Sequence, residues 1–361
     1  MNKIIVSVSN DLSTDQRVAK VCNTLVNGGY EILLIGRKLS DSKEIHRNYK
    51  TKRIKLLFNN SFLFYAEYNF RLFFLMLFLK KDILLSNDLD TLLPNYLVSR
   101  FQGKKLVYDS HELFSEIPEL VERPFVKKCW TSLEKWLLPK LKNTYTVCNS
   151  IAEYYNERYQ TNFKTIVNLP TQKQVEKGTL PFETADKKII LYQGAINVGR
   201  GLELMIETMQ FLPNHVFVII GSGDIICQLK EQVVNKKLND RIFFMGKITP
   251  NELHKITPLA DLGISIEEDL GLNYRFALPN KIFDYIQAEV PVLVSNLPEM
   301  KKVVQQYKVG EIVLNRMPEK LAKQIIGLTE KDFSAALKKA KTSLIWENQE
   351  EELLEIFRSC N

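Results

Sequence analysis

Val216-Phe217-Val218-Ile219-Ile220-Gly221-Ser222-Gly223 is an apolar run closed by a glycine turn, and helix-spaced residues follow from Ile225. The stretch reads as a strand turning into a helix. The same alternation recurs on both sides of it. Residues 188–192, 241–245, 262–266 and 292–295 read as strands, with helices over 202–210, 225–234, 280–288 and from Ser334 toward the end. Upstream, residues 3–8, 30–35, 82–85, 105–108 and 145–148 are strand-like. Residues 15–25 have helical spacing and stop at Gly28-Gly29.

Strands alternating with helices imply βαβ units and parallel sheets. Residues 171–187 interrupt the alternation. They are polar, follow Pro170 and hold Gly178 and Pro181, so they read as a linker. A length of 361 residues, at roughly 150 per domain, also suggests two domains. The expected fold is α/β: two Rossmann-like domains with parallel sheets, at residues 1–170 and 188–335. A terminal helix over 336–361 completes the chain.

Hydrophobic residues make up 45% and charged residues 25%, which suits two ordinary cores. The five cysteines are scattered and form no C-x-x-C pair, which argues against a disulfide framework or a zinc site. No basic segment, apolar run and cleavage site precede the first strand, so the expected home is the reducing cytoplasm. Charge is unevenly spread. Residues 1–170 hold 25 basic and 17 acidic side chains, and the remainder 24 and 25. Eight basic residues fall between Arg37 and Lys55. Such asymmetry suggests an anionic partner for the first half or, more plainly, a solvated basic loop. No RNA-binding motif or zinc finger accompanies it, which argues against nucleic acid. Residues 61–81 are rich in phenylalanine and leucine but too interrupted to span a bilayer of about 20 residues' depth. They read as a buried helix or as an interfacial one.

Several residues can carry chemistry. Gly221 and Gly223 form a turn where a phosphate can meet backbone amides at a helix start. Gly194 ends a strand, and Arg200-Gly201 opens the following helix, so Arg200 can clamp a diphosphate. Pro279-Asn280-Lys281 looks like another helix start, with Asn280 as the cap or Pro279 at the first position. Lys281 adds positive charge there, and Asp284 sits one turn inside, placed to accept bonds from ribose hydroxyls. In the first half, Asp109-Ser110-His111-Glu112 ends a strand. His111 can orient an acceptor hydroxyl or shuttle a proton, with Glu112 beside it. No Gly-x-Ser-x-Gly elbow, metalloprotease helix or Walker loop is present.

Taken in order, these pieces resemble glycosyltransferase family 4, retaining enzymes of the GT-B fold. The second half carries Tyr192-Gln193-Gly194, Arg200-Gly201-Leu202-Glu203-Leu204, Ile220-Gly221-Ser222-Gly223, Phe244-Met245-Gly246, Ala260-Asp261-Leu262-Gly263 and Pro279-Asn280-Lys281-Ile282-Phe283-Asp284-Tyr285 before Val290-Pro291-Val292. The first carries Asp15-Gln16-Arg17-Val18, Tyr108-Asp109-Ser110-His111-Glu112-Leu113-Phe114 and Ile117-Pro118-Glu119. The resemblance implies a nucleotide-diphosphate sugar held by the second domain and a glycan or lipid-linked acceptor held by the first. It implies no metal or other cofactor, the leaving diphosphate being stabilised by positive charge and helix-end amides. Arg200 then matches the residue that contacts the diphosphate, Asp284 the acid that binds ribose, and His111 the histidine of the acceptor side.

The sequence departs from the family pattern at three places. Ala195 stands where an arginine is usual, and Arg200 where a lysine is. Phe276 replaces the first of two glutamates, for which Glu267, Glu268 and Asp269 are the nearby carboxylates. Glu289 replaces a turn glycine. The missing glutamate leaves open a non-catalytic partner subunit of the same fold, and a sugar-nucleotide epimerase of that fold is a third reading. As a transferase the chain is expected in cell-surface polysaccharide assembly, in the cytoplasm or peripherally on an anionic membrane.

Overall fold

A computed structural model describes residues 2–13, 15–40, 42–117, 120 and 123–360. The chain divides into two compact units. One runs up to Asn168 and resumes from Gln349; the other is Leu169–Asn348.

Unit 1 holds seven strands: β1 (Lys3–Asp11), β2 (Glu31–Lys38), β3 (Lys50–Lys55), β4 (Ile83–Asn87), β5 (Lys105–Ser110), β6 (Asn143–Thr146) and β7 (Phe163–Thr165). They pair in parallel in the order β3-β2-β1-β4-β5-β6-β7. Helices α1 (Gln16–Asn27), α2 (Ser61–Phe78), α3 (Leu89–Gln102), α4 (Pro124–Leu137) and α5 (Asn149–Tyr159) lie between strands. The α1 start is set by Asp15, whose carboxylate accepts from Val18 N–H at 3.0 Å. A cap of this kind contributes about 1 kcal/mol. Of the phenylalanine-rich residues 61–81, Ser61–Phe78 form helix α2, whose Phe64, Tyr68, Leu72 and Met76 are buried against β-strand residues such as Ile5, Ile35 and Leu84. No helix among the described residues is long and apolar enough to cross a membrane. Pro118 and Glu119 of the Ile117-Pro118-Glu119 motif lie outside the described residues.

Unit 2 repeats the plan with β8 (Lys188–Gln193), β9 (His215–Ile220), β10 (Ile242–Gly246), β11 (Leu262–Ser265), β12 (Val292–Val294) and β13 (Gly310–Ile312). Their parallel order is β10-β9-β8-β11-β12-β13. The helices are α6 (Leu202–Met209), α7 (Ile226–Asn235), α8 (Pro250–Ile256), α9 (Leu272–Arg275), α10 (Asn280–Gln287), α11 (Pro298–Tyr307), α12 (Pro318–Thr329) and α13 (Ser334–Ser343). Residues 171–187 have no helix or strand, yet they are anchored: Phe182 stacks on Phe243 with centroids 3.9 Å apart, and Gly178 N–H donates to Lys255 C=O.

The single terminal helix expected from Ser334 is two. α13 stops at Ser343, Trp346 turns inward, and α14 (Glu350–Arg358) follows. α14 packs on α1 within unit 1, where Thr24 Oγ1 donates to Glu350 and Phe357 lies against Tyr30.

Candidate functional site

In both sheets the strand order reverses once, between β1 and β4 and between β8 and β11. A parallel α/β sheet leaves a crevice at the carboxyl end of such a switch point. The candidate residues gather at these two places.

In unit 2, β8 ends at Gln193 and β11 at Ser265, and Glu267 follows two residues later. The Glu267 carboxylate is fully buried. One oxygen accepts from Lys281 Nζ at 3.0 Å and lies 3.9 Å from an Arg200 nitrogen; the other accepts from Ser265 Oγ at 2.8 Å. Burial alone would raise its pKa, but the Lys281 ammonium and the Ser265 hydroxyl outweigh that and hold it below the usual carboxylate range. Lys281 also sits 3.9 Å over the Tyr192 ring. Arg200 lies 5.1 Å over the Tyr274 ring, and its Nε is buried with no hydrogen-bond partner. The starts of α6 and α10 therefore meet around Glu267, with two cations against one anion. Such a place attracts a further anion, which the helix-start amides also favour.

Two glycine positions explain why the loops can come so close. Gly201 has φ +76°, and a Cβ there would stand 2.4 Å from Ile266 C=O, so the Arg200-Gly201 turn presses on the end of β11. Gly221 has φ +143°, and its Cβ would stand 1.8 Å from Gly194 C=O. The amides of these turn glycines are engaged otherwise than expected: Gly221 N–H donates to Gly246 C=O and Gly194 N–H to Ile220 C=O. Gly194 and Gly221 thus serve loop contact and do not offer donors to a phosphate. Gly223 is held the same way against Ile196 C=O. Pro279 occupies the N-cap position without a side-chain cap, so Asn280 is the first helical residue and exposed, not the cap. Asp284, one turn on, accepts from Gln193 Nε2 at 2.9 Å, while Gln193 Oε1 accepts from Thr257 Oγ1. Phe276 closes the short helix α9. Of the carboxylates near it, only Glu267 reaches the Arg200–Lys281 pair. Glu268 lies 3.6 Å from Arg316, and Asp269 pairs with Arg275 at 2.9 Å.

In unit 1, His111 lies just past β5 between two carboxylates. Nδ1 is 3.2 Å from Asp88 and Nε2 is 3.2 Å from Asp109. Burial alone would depress the imidazole pKa; Asp88 and Asp109 outweigh it and raise it to about 9. Burial would likewise raise Asp109, but Arg17 and His111 bring it down to about 2. Arg17 grips Asp109 with two bonds of 2.9 and 3.0 Å and donates to Ile166 C=O. His111 therefore has a carboxylate on each ring nitrogen, an arrangement that favours the imidazolium. Asp88, at φ +58°, also accepts from His111 N–H. Asp90 bridges to Ser9 at the end of β1, and burial pushes it up to about 6. Glu112 adds charge beside Asp90, and its C=O accepts from Ser110 Oγ.

Sequence reasoning left Arg17 and Gln193 without roles. Both act across more than 90 residues, Arg17 on Asp109 and Gln193 on Asp284. Their only local signal was a polar residue at a strand end or beside a cap. Among the described residues no three His, Cys, Asp or Glu side chains come together as a metal site.

Residues 15–170 match the glycosyltransferase family 4 model, and residues 180–343 match that of the glycosyl transferases group 1. No curated protein matches by sequence. Among solved structures, the sucrose-phosphate synthase of Thermosynechococcus elongatus is similar with a TM-score of 0.82 at 15% identity, covering 99% of each chain. Anabaena HepE, solved with UDP-glucose, is similar with a TM-score of 0.77 at 13% identity, over 99% of this chain and 100% of that one. A glycosyltransferase from Rickettsia africae gives 0.75 at 15% identity, over 99% and 98%. At such identities the structural likeness is one of fold.

Proposed function

Since the chain is a glycosyltransferase of the GT-B fold, we propose that it moves a sugar, with retention, from a nucleotide-diphosphate sugar to a glycan or lipid-linked acceptor of cell-surface polysaccharide. The observation that carries this is the buried Glu267 anion holding Lys281 and Arg200 where two helices start, with an unpartnered Arg200 Nε. HepE, similar in fold, is solved with UDP-glucose.

In this reading Arg200 and Lys281 take the diphosphate. Their charge is fixed before the reaction, so it favours the transition state in which the leaving group becomes more anionic. Glu267 is a positioning residue: it aims both cations and keeps them from repelling each other. Asp284, held by Gln193, takes the ribose hydroxyls. The leaving diphosphate is neutralised by these side chains without a metal. His111, held between Asp88 and Asp109, is a positioning residue, and the carboxylates around it, Asp88, Asp90 and Glu112, are the groups that take acceptor hydroxyls. The reaction belongs in the cytoplasm, where nucleotide sugars are made.

The test is thermal unfolding of the purified protein with each nucleoside diphosphate and its sugars, beside Arg200→Ala. A ligand at a hundredfold excess over Kd adds about 2.7 kcal/mol of stability. A shift with one nucleotide, absent in the variant, is the expected result; no shift with any would overturn the donor assignment. Turnover of donor by the chain alone separates an enzyme from a scaffold subunit. Isomerised nucleotide sugar without acceptor would indicate an epimerase.

A further inference from the structure

Helix α2 buries one row of side chains and exposes an opposite row that is just as apolar. Phe64, Tyr68, Leu72 and Met76 recur every fourth residue and are buried. Shifted by two residues, Phe62, Ala66, Phe70, Phe74 and Phe78 recur with the same spacing. Two residues are about 200° of helix, so the rows lie on opposite sides. The second row faces solvent, with Phe62 73% and Phe78 85% exposed. Within it the Phe70 and Phe74 rings are 4.7 Å apart. Phe101 of α3, 70% exposed, meets Phe73 at 6.2 Å and carries the apolar surface onto the next helix. Exposed Leu57 and Phe58 extend it at the other end, where both backbone N–H groups donate to Glu67.

An apolar surface of this extent calls for an occupant, and the charge around it says which. Residues 50–81 hold seven basic side chains against one acid, Glu67, which Arg71 holds at 2.7 Å. Lys80 and Lys104 line the same cavity as Phe78. Lys52 and Lys55 of edge strand β3 are exposed, as is Arg100 beside Phe101. Phenyl rings edged by lysines suit an anionic bilayer, with rings at the acyl boundary and ammonium groups at the lipid phosphates. A second copy of the chain would set like charges against each other.

We infer that the Phe62–Phe78 face of α2, continued by Phe101, docks unit 1 on an anionic lipid surface, lying in the interface without crossing it. Its purpose rests on the proposed lipid-linked acceptor; the binding itself does not require sugar transfer.

The experiment is vesicle flotation of the full chain with mixed phosphatidylglycerol and phosphatidylcholine, against phosphatidylcholine alone. The variants are Phe70→Ser/Phe74→Ser/Phe78→Ser, all at exposed positions, and Lys80→Glu/Lys104→Glu, of which Lys80 is exposed and Lys104 half-buried. Each is checked for an unchanged melting temperature and an unchanged nucleotide-induced shift. The chain is expected to float with the anionic vesicles, less so at high salt, and each variant to lose at least about tenfold in partitioning. Absence of flotation with anionic vesicles, or wild-type flotation of the phenylalanine variant, overturns the inference. So does a dimer that the phenylalanine variant dissociates while vesicles leave it untouched, since the row would then be a self-association contact. Flotation without any nucleotide shift supports this surface and removes only the donor assignment.

Discussion

Lys281 Nζ sits 3.0 Å from Glu267 Oε1, and both side chains are buried. The attraction offsets two desolvation penalties, so removing one partner leaves the other as an uncompensated buried charge. Glu267→Ala is expected to cost about 3–5 kcal/mol in denaturant unfolding. Glu267→Gln, which keeps the acceptor and the volume, should cost less than Glu267→Ala. Equal, small losses in both would mean that the pair is not the keystone of the unit 2 site.

Asp284 separates ribose recognition from phosphate recognition. Asp284→Asn should weaken nucleoside diphosphate binding by about tenfold, a hydrogen bond to a charged group contributing about 1.5 kcal/mol or more. Affinity for inorganic pyrophosphate should stay unchanged. Calorimetry with the two ligands reads the difference, and a parallel loss in both would assign Asp284 to the diphosphate or to the fold.

Arg200 is expected to hold the diphosphate in the ground state and to act more strongly still in the transition state, where the leaving group is most anionic. Arg200→Ala should lower kcat by about 10²–10³, the scale of losing one preorganised charge donor. Arg200→Lys should recover only part of it, because an ammonium lacks the planar fork that lies over Tyr274. A changed KM with kcat intact would confine Arg200 to ground-state binding.

His111 makes unit 1 sensitive to alkali. Its pKa is raised from 6.5 to about 9 on folding, so protonation is favoured by the folded state. The stabilisation is complete below pH 6.5 and is lost as pH rises through about 9. His111→Asn should be less stable than wild type at pH 6 and converge with it above pH 9 in stability measured against pH. A difference that does not vary with pH would rule out the imidazolium.

Glu289 has φ +60° where the family pattern has glycine, and pairs with Lys341 at 2.9 Å. A left-handed residue with a Cβ costs roughly 1–2 kcal/mol. Glu289→Val should therefore be less stable than Glu289→Gly by at least about 1 kcal/mol, β-branching being worst tolerated there. Thermal unfolding of the two variants side by side decides it.

The central strands of both sheets were legible because each is an apolar run bounded by polar or glycine residues. β3 was not. Its sequence, Lys50-Thr51-Lys52-Arg53-Ile54-Lys55, is charged, and as an edge strand it pairs only with β2. β7 and β13, three residues each, are too short to carry a period. The break between α13 and α14 was hidden because Gln287, far upstream, caps α13 through the Lys341 and Leu344 carbonyls. At the site, residue types at helix starts pointed to Arg200, Lys281 and Asp284. That Glu267 joins two of them follows only from the closeness of β8 and β11, which no local pattern encodes.

The packing of α14 on α1 has a consequence during synthesis. Thr24 and Tyr30 are translated more than three hundred residues before their partners Glu350 and Phe357. Leu354 also covers Gly28 at the end of α1. Unit 1 must therefore wait, with one flank of α1 bare, while the whole of unit 2 emerges from the ribosome. The second unit in the chain is the first able to complete its core, and the first is finished only by residues that follow the second.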